Sequence, residues 1–130
     1  MGKCARLLAV VAAGSVMGTG VADAAPADWP PPVAFAQLTY DLGRCGTDVV
    51  NLASGVSARL DITVANQFDP DARVRIPEFL WMRELPVTIA PQTISVQFIV
   101  ERPGVFGFSI DSPMLAGSAA AGCRGSLVIS

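Results

Sequence analysis

A strict alternation of apolar and polar residues in two segments constrains the fold more than any other feature of the chain. In residues 57–66 the apolar residues occupy every second position, namely Ala58, Leu60, Ile62 and Val64. Residues 93–100 repeat this spacing with Ile94, Val96, Phe98 and Val100. A period of two is typical of a strand with one buried face. We therefore predict two β-strands that each place one side against a core.

Further short apolar runs lie between Gly- and Pro-containing turns such as Ala53-Ser54-Gly55 and Pro103-Gly104. They cover residues 35–41, 49–52, 74–76, 87–89, 105–110 and 127–129. Strands at this close spacing are typical of antiparallel sandwiches. The sequence predicts an all-β domain of seven or eight short strands, arranged as a two-sheet Greek-key sandwich.

Residues 78–85 depart from this pattern. Phe79, Met82 and Leu85 recur at the spacing of a helical turn, whereas no alternation is evident. The segment predicts a short helix or an irregular crossing rather than a strand.

The N-terminus has the order of a secretory signal. Lys3 and Arg6 precede apolar residues 7–17, and Ala22-Asp23-Ala24 fits a small-x-small cleavage site. We predict a signal peptide over residues 1–24, a Pro-rich extended lead-in over 25–34 and one domain over 35–130. The expected location is the periplasm or the medium, and an uncleaved membrane anchor is the alternative.

Composition excludes several classes of function. The chain has no His, which removes imidazole acid–base catalysis, Ser-His triads and His metal sites. Its only Lys, Lys3, lies in the predicted signal. Beyond residue 24 the chain carries seven Arg and ten acidic residues, a net charge of −3. This charge predicts no binding to nucleic acid and none to a membrane after signal cleavage. Because the chain has no His and its only Lys lies in the predicted signal, we predict that the protein is not an enzyme.

The C-terminal segment has a specific layout. Pro103-Gly104 precedes an apolar strand, a small-residue loop follows, and Gly122-Cys123-Arg124-Gly125 leads into the last strand. Upstream, Asn66 ends an alternating segment and Ile76-Pro77 follows. In this order the motifs resemble the cupredoxins, the small blue-copper β-sandwiches. The resemblance covers roughly residues 49–130 and implies their fold.

The resemblance also implies where copper ligands would stand. The two His positions fall on Ala72 and on Ser118 or Ala119, the Cys position on Ile110 and the Met position on Cys123. A blue-copper centre needs two imidazoles and a thiolate. The chain therefore resembles a divergent member that has lost type 1 copper, and we expect neither copper nor another cofactor.

Cys45 and Cys123 are the two cysteines beyond the predicted signal. An even number in an exported chain favours a disulfide. The resemblance places Cys45 at the start of the second strand, close to the loop of the axial ligand, and so implies a Cys45–Cys123 bridge. Two free thiols, or a soft metal site that includes Met114, are the alternatives.

Two other groups of residues are candidates for binding an ion or a partner. Asp69, Asp71, Glu78 and Glu84 form a loose acidic group that could hold a hard cation, although their spacing matches no calcium loop and a solvated loop is favoured. Trp81, Met82 and Met114 form a candidate partner surface at the end where cupredoxins meet their partners. Core packing of Trp81 or Met82 is the alternative.

The sequence thus predicts an exported, non-catalytic binding or accessory module with an unidentified protein partner. The alternative is a periplasmic metal-handling protein that binds an ion through Cys and Met or through carboxylates. Residues 77–85 also resemble divergent cupredoxin-like domains found beside periplasmic iron and copper uptake systems.

Overall fold

The computed structural model describes residues 20–22, 29–115 and 122–130. Within these ranges the chain forms ten strands and two short 3-10 turns, Pro77–Phe79 and Pro113–Leu115. The strands are β1 (Gly20–Ala22), β2 (Ala34–Asp41), β3 (Arg44–Cys45), β4 (Val49–Leu52), β5 (Ser57–Ala65), β6 (Arg73–Ile76), β7 (Trp81–Glu84), β8 (Gln92–Ile99), β9 (Gly104–Asp111) and β10 (Gly122–Ile129).

The strands make two five-stranded sheets. One sheet has the order β1-β8-β5-β2-β3 and the other β4-β10-β9-β6-β7. β2 pairs parallel with β5, and β4 pairs parallel with β10, whereas the remaining pairs are antiparallel. The predicted all-β two-sheet sandwich is confirmed.

The core lies between the two sheets, and the alternating segments supply much of it. Ala58, Leu60, Ile62 and Val64 of β5 are at most 2% exposed, and β8 adds Val96 and Phe98 at 1%. The second sheet contributes Val74, Ile76, Phe108, Ile110, Leu127 and Ile129. The period of two therefore identified the inward faces of β5 and β8 correctly.

Residues 78–85 contain a strand that the sequence did not predict. Pro77–Phe79 form a 3-10 turn, and Leu80 then adopts a left-handed conformation with φ 54°. This reversal brings Trp81 opposite Ile76, so that β7 pairs antiparallel with β6. The helical spacing was misleading, because Phe79 is buried in the turn, Met82 is exposed on β7 and Leu85 is buried just after β7.

The predicted strand over residues 87–89 is also absent as a strand. In the structure this segment contributes a single antiparallel bridge between Thr88 and Gln67. Pro86 and Pro91 lie on either side of the segment, and proline cannot donate to a hydrogen-bond ladder. The segment therefore serves as a connection that closes one end of the sandwich.

The predicted signal lies mostly outside the described residues. Its described part, Gly20–Ala22, pairs antiparallel with Gln97–Ile99 of β8. In the described part of the lead-in, the Val33 amide donates to the Ser57 carbonyl at 2.9 Å. No helix in the described ranges is long and apolar enough to cross a membrane.

Candidate functional site

Three of the predicted copper-ligand positions lie together at one end of the second sheet. Ile110 of β9 is paired directly with Cys123 of β10. Ala72 immediately precedes β6, whose first residue, Arg73, is paired with Asp111. Ser118 and Ala119 lie outside the described residues. The positions expected from the resemblance are thus adjacent where the structure describes them.

Apolar packing occupies these positions. Ala72 is 0% exposed and Ile110 is 1% exposed, and neither side chain can donate to a metal. Beside them Gly122 has φ 127°, and a Cβ atom there would overlap the Ile110 carbonyl oxygen. Glycine is therefore needed where β10 begins.

The third described position, Cys123, is bonded to Cys45. The two Cα atoms are 5.8 Å apart and the cysteines are 78 positions apart in the sequence. Cys45 lies in β3 of one sheet and Cys123 in β10 of the other. The bridge therefore links the two sheets covalently at the end where the resemblance places copper.

The acidic group does not converge on a cation. The described residues include no cluster of three or more His, Cys, Asp or Glu side chains placed to hold a metal ion. Asp69 is buried, Asp71 and Glu84 are exposed, and Glu78 is half-buried in the turn before β7. The favoured interpretation, a solvated loop, fits Asp71 and Glu84 but is wrong for Asp69, which is 3% exposed.

Asp69 has a structural role that sequence reasoning missed. Its carboxylate accepts hydrogen bonds from the Asp71 amide at 2.8 Å, the Ser112 hydroxyl at 2.8 Å and the Met114 amide at 2.7 Å. The bond to Asp71 closes an Asx turn, for which Asp69-Pro70-Asp71 is a recognisable signal. The bonds to Ser112 and Met114 span more than 40 positions of the chain, and no local pattern reveals them.

Gln67 extends this network to a third loop. Its side-chain oxygen accepts from the Asp69 amide at 2.6 Å, and its Nε2 donates to the carbonyl oxygens of Asp69 at 2.9 Å and Pro86 at 3.1 Å. The network therefore joins the β5–β6 loop, the segment before β8 and the turn after β9. Buried polar networks of this kind rigidify a site when their groups are satisfied.

The hydrogen bonds also determine the ionisation of Asp69. Burial acts to raise the pKa of its carboxyl, but the bonds from Met114, Asp71 and Ser112 outweigh burial and lower that pKa below its ordinary value. Because the residue is only 3% exposed, burial is the largest single influence on this pKa, but the three hydrogen bonds together exceed it. Asp69 is therefore an anion that already accepts three hydrogen bonds.

Tyr40 lies beside this network and is 1% exposed. Its hydroxyl is buried and has no hydrogen-bond partner of acceptable geometry among the described residues. Burial raises the pKa of the phenol, the charges of Asp69 and Asp111 add to the effect, and the neighbouring Ser112 hydroxyl opposes it. Ser112 donates its proton to Asp69, and its oxygen lies near the phenol without meeting the geometry of a hydrogen bond to it. The phenol therefore stays protonated.

A small open pocket of about 90 Å³ adjoins these residues. It lies between the turn after β2, the β5–β6 loop and the turn after β9, and its lining includes Tyr40 and Asp69. Its rim carries three apolar side chains that are more than half exposed, namely Leu42 (59%), Phe68 (52%) and Met114 (59%). Since Asp69 is already hydrogen-bonded, the pocket offers mainly apolar contacts.

The structure divides the predicted partner surface. Trp81 is only 9% exposed and belongs to the core, because alternation along β7 turns it inward. Trp81 is therefore removed from the surface, while Met82 (51%) and Met114 (59%) remain exposed. The sequence analysis overlooked Leu42 and Phe68. Both could have been noticed, because each is a large apolar residue inside a turn or loop.

Comparison of the sequence with family models and with curated proteins gives no match. Solved structures do match. Auracyanin B aligns with a TM-score of 0.50 at 15% identity, covering 88% of this chain and 99% of its own. Auracyanin from Roseiflexus castenholzii aligns with a TM-score of 0.53 at 9% identity, covering 77% and 99%.

The periplasmic domain of cytochrome oxidase subunit II (CoxB) of Bradyrhizobium japonicum aligns with a TM-score of 0.52 at 11% identity, covering 78% of this chain and 86% of its own. Identities this low carry information about the fold alone. These neighbours are cupredoxins, and they share with this chain a two-sheet β-sandwich over most of its length. The chain therefore has a cupredoxin-like fold, and apolar residues and a disulfide occupy the described positions at which the resemblance places copper ligands.

Proposed function

We propose that the protein is an exported, non-catalytic binding or accessory module that has lost type 1 copper. One observation supports this above all others: the described ligand positions are filled. Ala72 and Ile110 are packed in the core, and Cys123 is engaged with Cys45. A type 1 centre needs two imidazoles and a thiolate at these places, and the chain has no His.

The same replacements stabilise a sandwich without metal. A copper ion links the loops that hold its ligands, whereas here Ile110 fills the space between β9 and its neighbours. The Cys45–Cys123 bond joins the two sheets at the same end. A bond that closes a loop of this length stabilises the folded state by several kcal/mol, roughly 4–5 in the chain-entropy treatment.

The polar groups of the pocket support a binding role rather than catalysis. A general base needs a pKa near the working pH and a free position for the proton. The carboxylate of Asp69 is occupied by three donors, and the buried Tyr40 phenol stays protonated. The exposed rim of Leu42, Phe68 and Met114 offers apolar contact area to a protein partner.

Metal analysis of the protein isolated from the exported fraction tests this proposal. We expect copper and iron well below one equivalent per chain. The alternative function, metal handling through Cys, Met or carboxylates, requires one equivalent of a metal that survives dialysis. A Met114→Leu variant serves as the matched control, because it removes the exposed thioether while keeping the volume at the rim.

The exported state has its own test. We expect the mature protein to begin at Ala25 and to lie in the periplasm or the medium, because the basic, apolar and Ala-x-Ala order of residues 1–24 is that of a cleaved signal. Mass spectrometry of the intact exported protein measures this directly. A mass that still includes residues 1–24 means an anchored protein, which would contradict the proposal of a released module.

A further inference from the structure

β8 is a long strand next to the end of its sheet, where the short strand β1 covers only its last three residues. Over its eight residues, Gln92–Ile99, its inner side pairs with β5 from Val64 to Ser57. The strand contains no charged residue, no Pro and no Gly. Natural edge strands are usually protected by such residues, by bulges or by short length. β8 therefore lacks the features that normally prevent an edge from pairing with another chain.

The other edges of the two sheets differ from β8. Among the described strands, β3 has two residues, and β4 and β7 have four each. β7 also carries Arg83 and Glu84, and Asp48 directly precedes β4. Short and charged edges pair poorly with another chain. Residues 34–39 of β2 are also uncharged and have no described strand partner on the side of β3, which pairs only with Tyr40 and Asp41. β8 differs from β2 because its present outer partner, β1, belongs to the predicted leader.

The outer edge of β8 is partly occupied by the chain itself. Gly20 is paired with Ile99, Val21 with Phe98 and Ala22 with Gln97, all antiparallel. No described strand pairs with the outer side of residues 92–96. The occupying residues belong to the segment that the sequence predicts to be cleaved after Ala24. Removing that segment would leave the whole outer edge of β8 without a strand partner.

We propose that loss of the leader allows β8 to pair antiparallel with β8 of a second copy of this chain, and that β1 blocks this pairing while it remains attached. The inference relies on cleavage after Ala24 but not on the absence of copper. The backbone groups that now bond to β1 would bond to the second copy, joining the two sheets into one.

The side chains of β8 are compatible with a symmetric pair. Opposed residues in antiparallel strands lie on the same face of the sheet. A pairing centred on Ser95 places Thr93 opposite Gln97 on the outer face and Ile94 opposite Val96 on the inner face. Since no residue from 92 to 100 is charged, this register brings no like charges together, although the mature chain carries a net charge of −3.

The test compares two chains, one beginning at Gly20 and one beginning at Ala25. Both retain every buried apolar residue of the core, from Leu38 to Ile129. Sedimentation equilibrium over a range of concentrations measures their masses. We expect the weight-average mass of the Ala25 chain to rise toward twice the monomer value, and the Gly20 chain to remain a monomer. Amide exchange of residues 92–99 should slow with concentration in the Ala25 chain alone.

A matched pair of variants tests which surface is used. Thr93→Lys places a charge on β8, whereas Ser126→Lys places the same charge on β10, where Ser126 is paired on one side with Val49 and on the other with Gly107. We expect the first to keep the Ala25 chain monomeric and the second to leave association unchanged. Three results would each overturn the proposal: an Ala25 chain that stays monomeric at its highest soluble concentration, a Gly20 chain that associates equally, or association that is insensitive to Thr93→Lys.

Discussion

In Tyr40 the hydroxyl opposes stability, whereas the ring contributes to it. Its hydroxyl lies in the interior without a hydrogen-bond partner of acceptable geometry among the described residues. An unsatisfied buried hydroxyl costs about 1–3 kcal/mol relative to its hydrated state. The ring itself is part of the core, so the apolar area is retained when only the hydroxyl is removed.

We therefore predict that Tyr40→Phe leaves the free energy of unfolding unchanged or raises it by up to about 1 kcal/mol. Urea denaturation followed by fluorescence measures the change. Tyr40→Ala is the control, because it removes the ring and should cost roughly 3–5 kcal/mol. A loss of more than about 1 kcal/mol in Tyr40→Phe would mean that the hydroxyl is bonded in the folded protein.

Asp69 stabilises the folded state, and the size of this stabilisation depends on pH. Its pKa is lower in the folded state than in the unfolded chain, because three donors favour the carboxylate. A lowered folded pKa contributes stability at pH values above the unfolded pKa, about 3.9 for an aspartate. That contribution is lost as the pH falls through the folded pKa.

We predict that Asp69→Asn weakens the fold at neutral pH and reduces the loss of stability between neutral pH and the acid limit. Midpoints of urea unfolding, measured at several pH values from 7 to below about 3.9, test this. Asp71→Asn is the matched control, since it removes an exposed carboxyl from the same loop. Equal acid sensitivity in the wild type and in Asp69→Asn would contradict the assignment.

At the scale of elements, the sequence predicted the strands that have a local pattern of alternating apolar residues. β5 and β8 alternate strictly, and the structure buries the faces that the alternation indicates. β7 was not predictable in this way, because the left-handed conformation of Leu80 creates the reversal that pairs it with β6. The bridge at Thr88 is likewise set by a distant partner, Gln67.

The disulfide connects two elements, because it joins β3 to β10 and hence one sheet to the other. Cys45→Ser and Cys123→Ser should each lower the free energy of unfolding by a similar amount, roughly 2–5 kcal/mol. The double variant should be no less stable than either single variant, since all three lack the same bond.

Thiol labelling of the unfolded, unreduced protein supplies the direct measurement for the bond. We expect no reactive thiol in the mature chain. Two reactive thiols per chain would show that Cys45 and Cys123 are free, and clearly unequal losses in the two single variants would show that one cysteine stabilises the fold by other contacts.

For the whole molecule, the sequence predicted the sandwich, but not the structure of the end at which the resemblance places copper. The absence of His is a fact of composition. The network around Asp69 and the pocket beside it join loops that are distant in sequence, so neither had a local signal. The sequence named Trp81 as a candidate surface residue. Its inward direction depends on the register of β7, which has no local signal.

The account depends most on the claim that this cupredoxin-like sandwich no longer forms a type 1 copper centre. Titration of the mature, oxidised protein with copper(II), followed by visible absorption, tests it most directly. The account predicts a colourless protein at every ratio, because Ala72 and Ile110 offer no ligand and Cys123 is bonded to Cys45. An intense thiolate-to-copper band at about 600 nm, as the His₂Cys geometry gives, would contradict it.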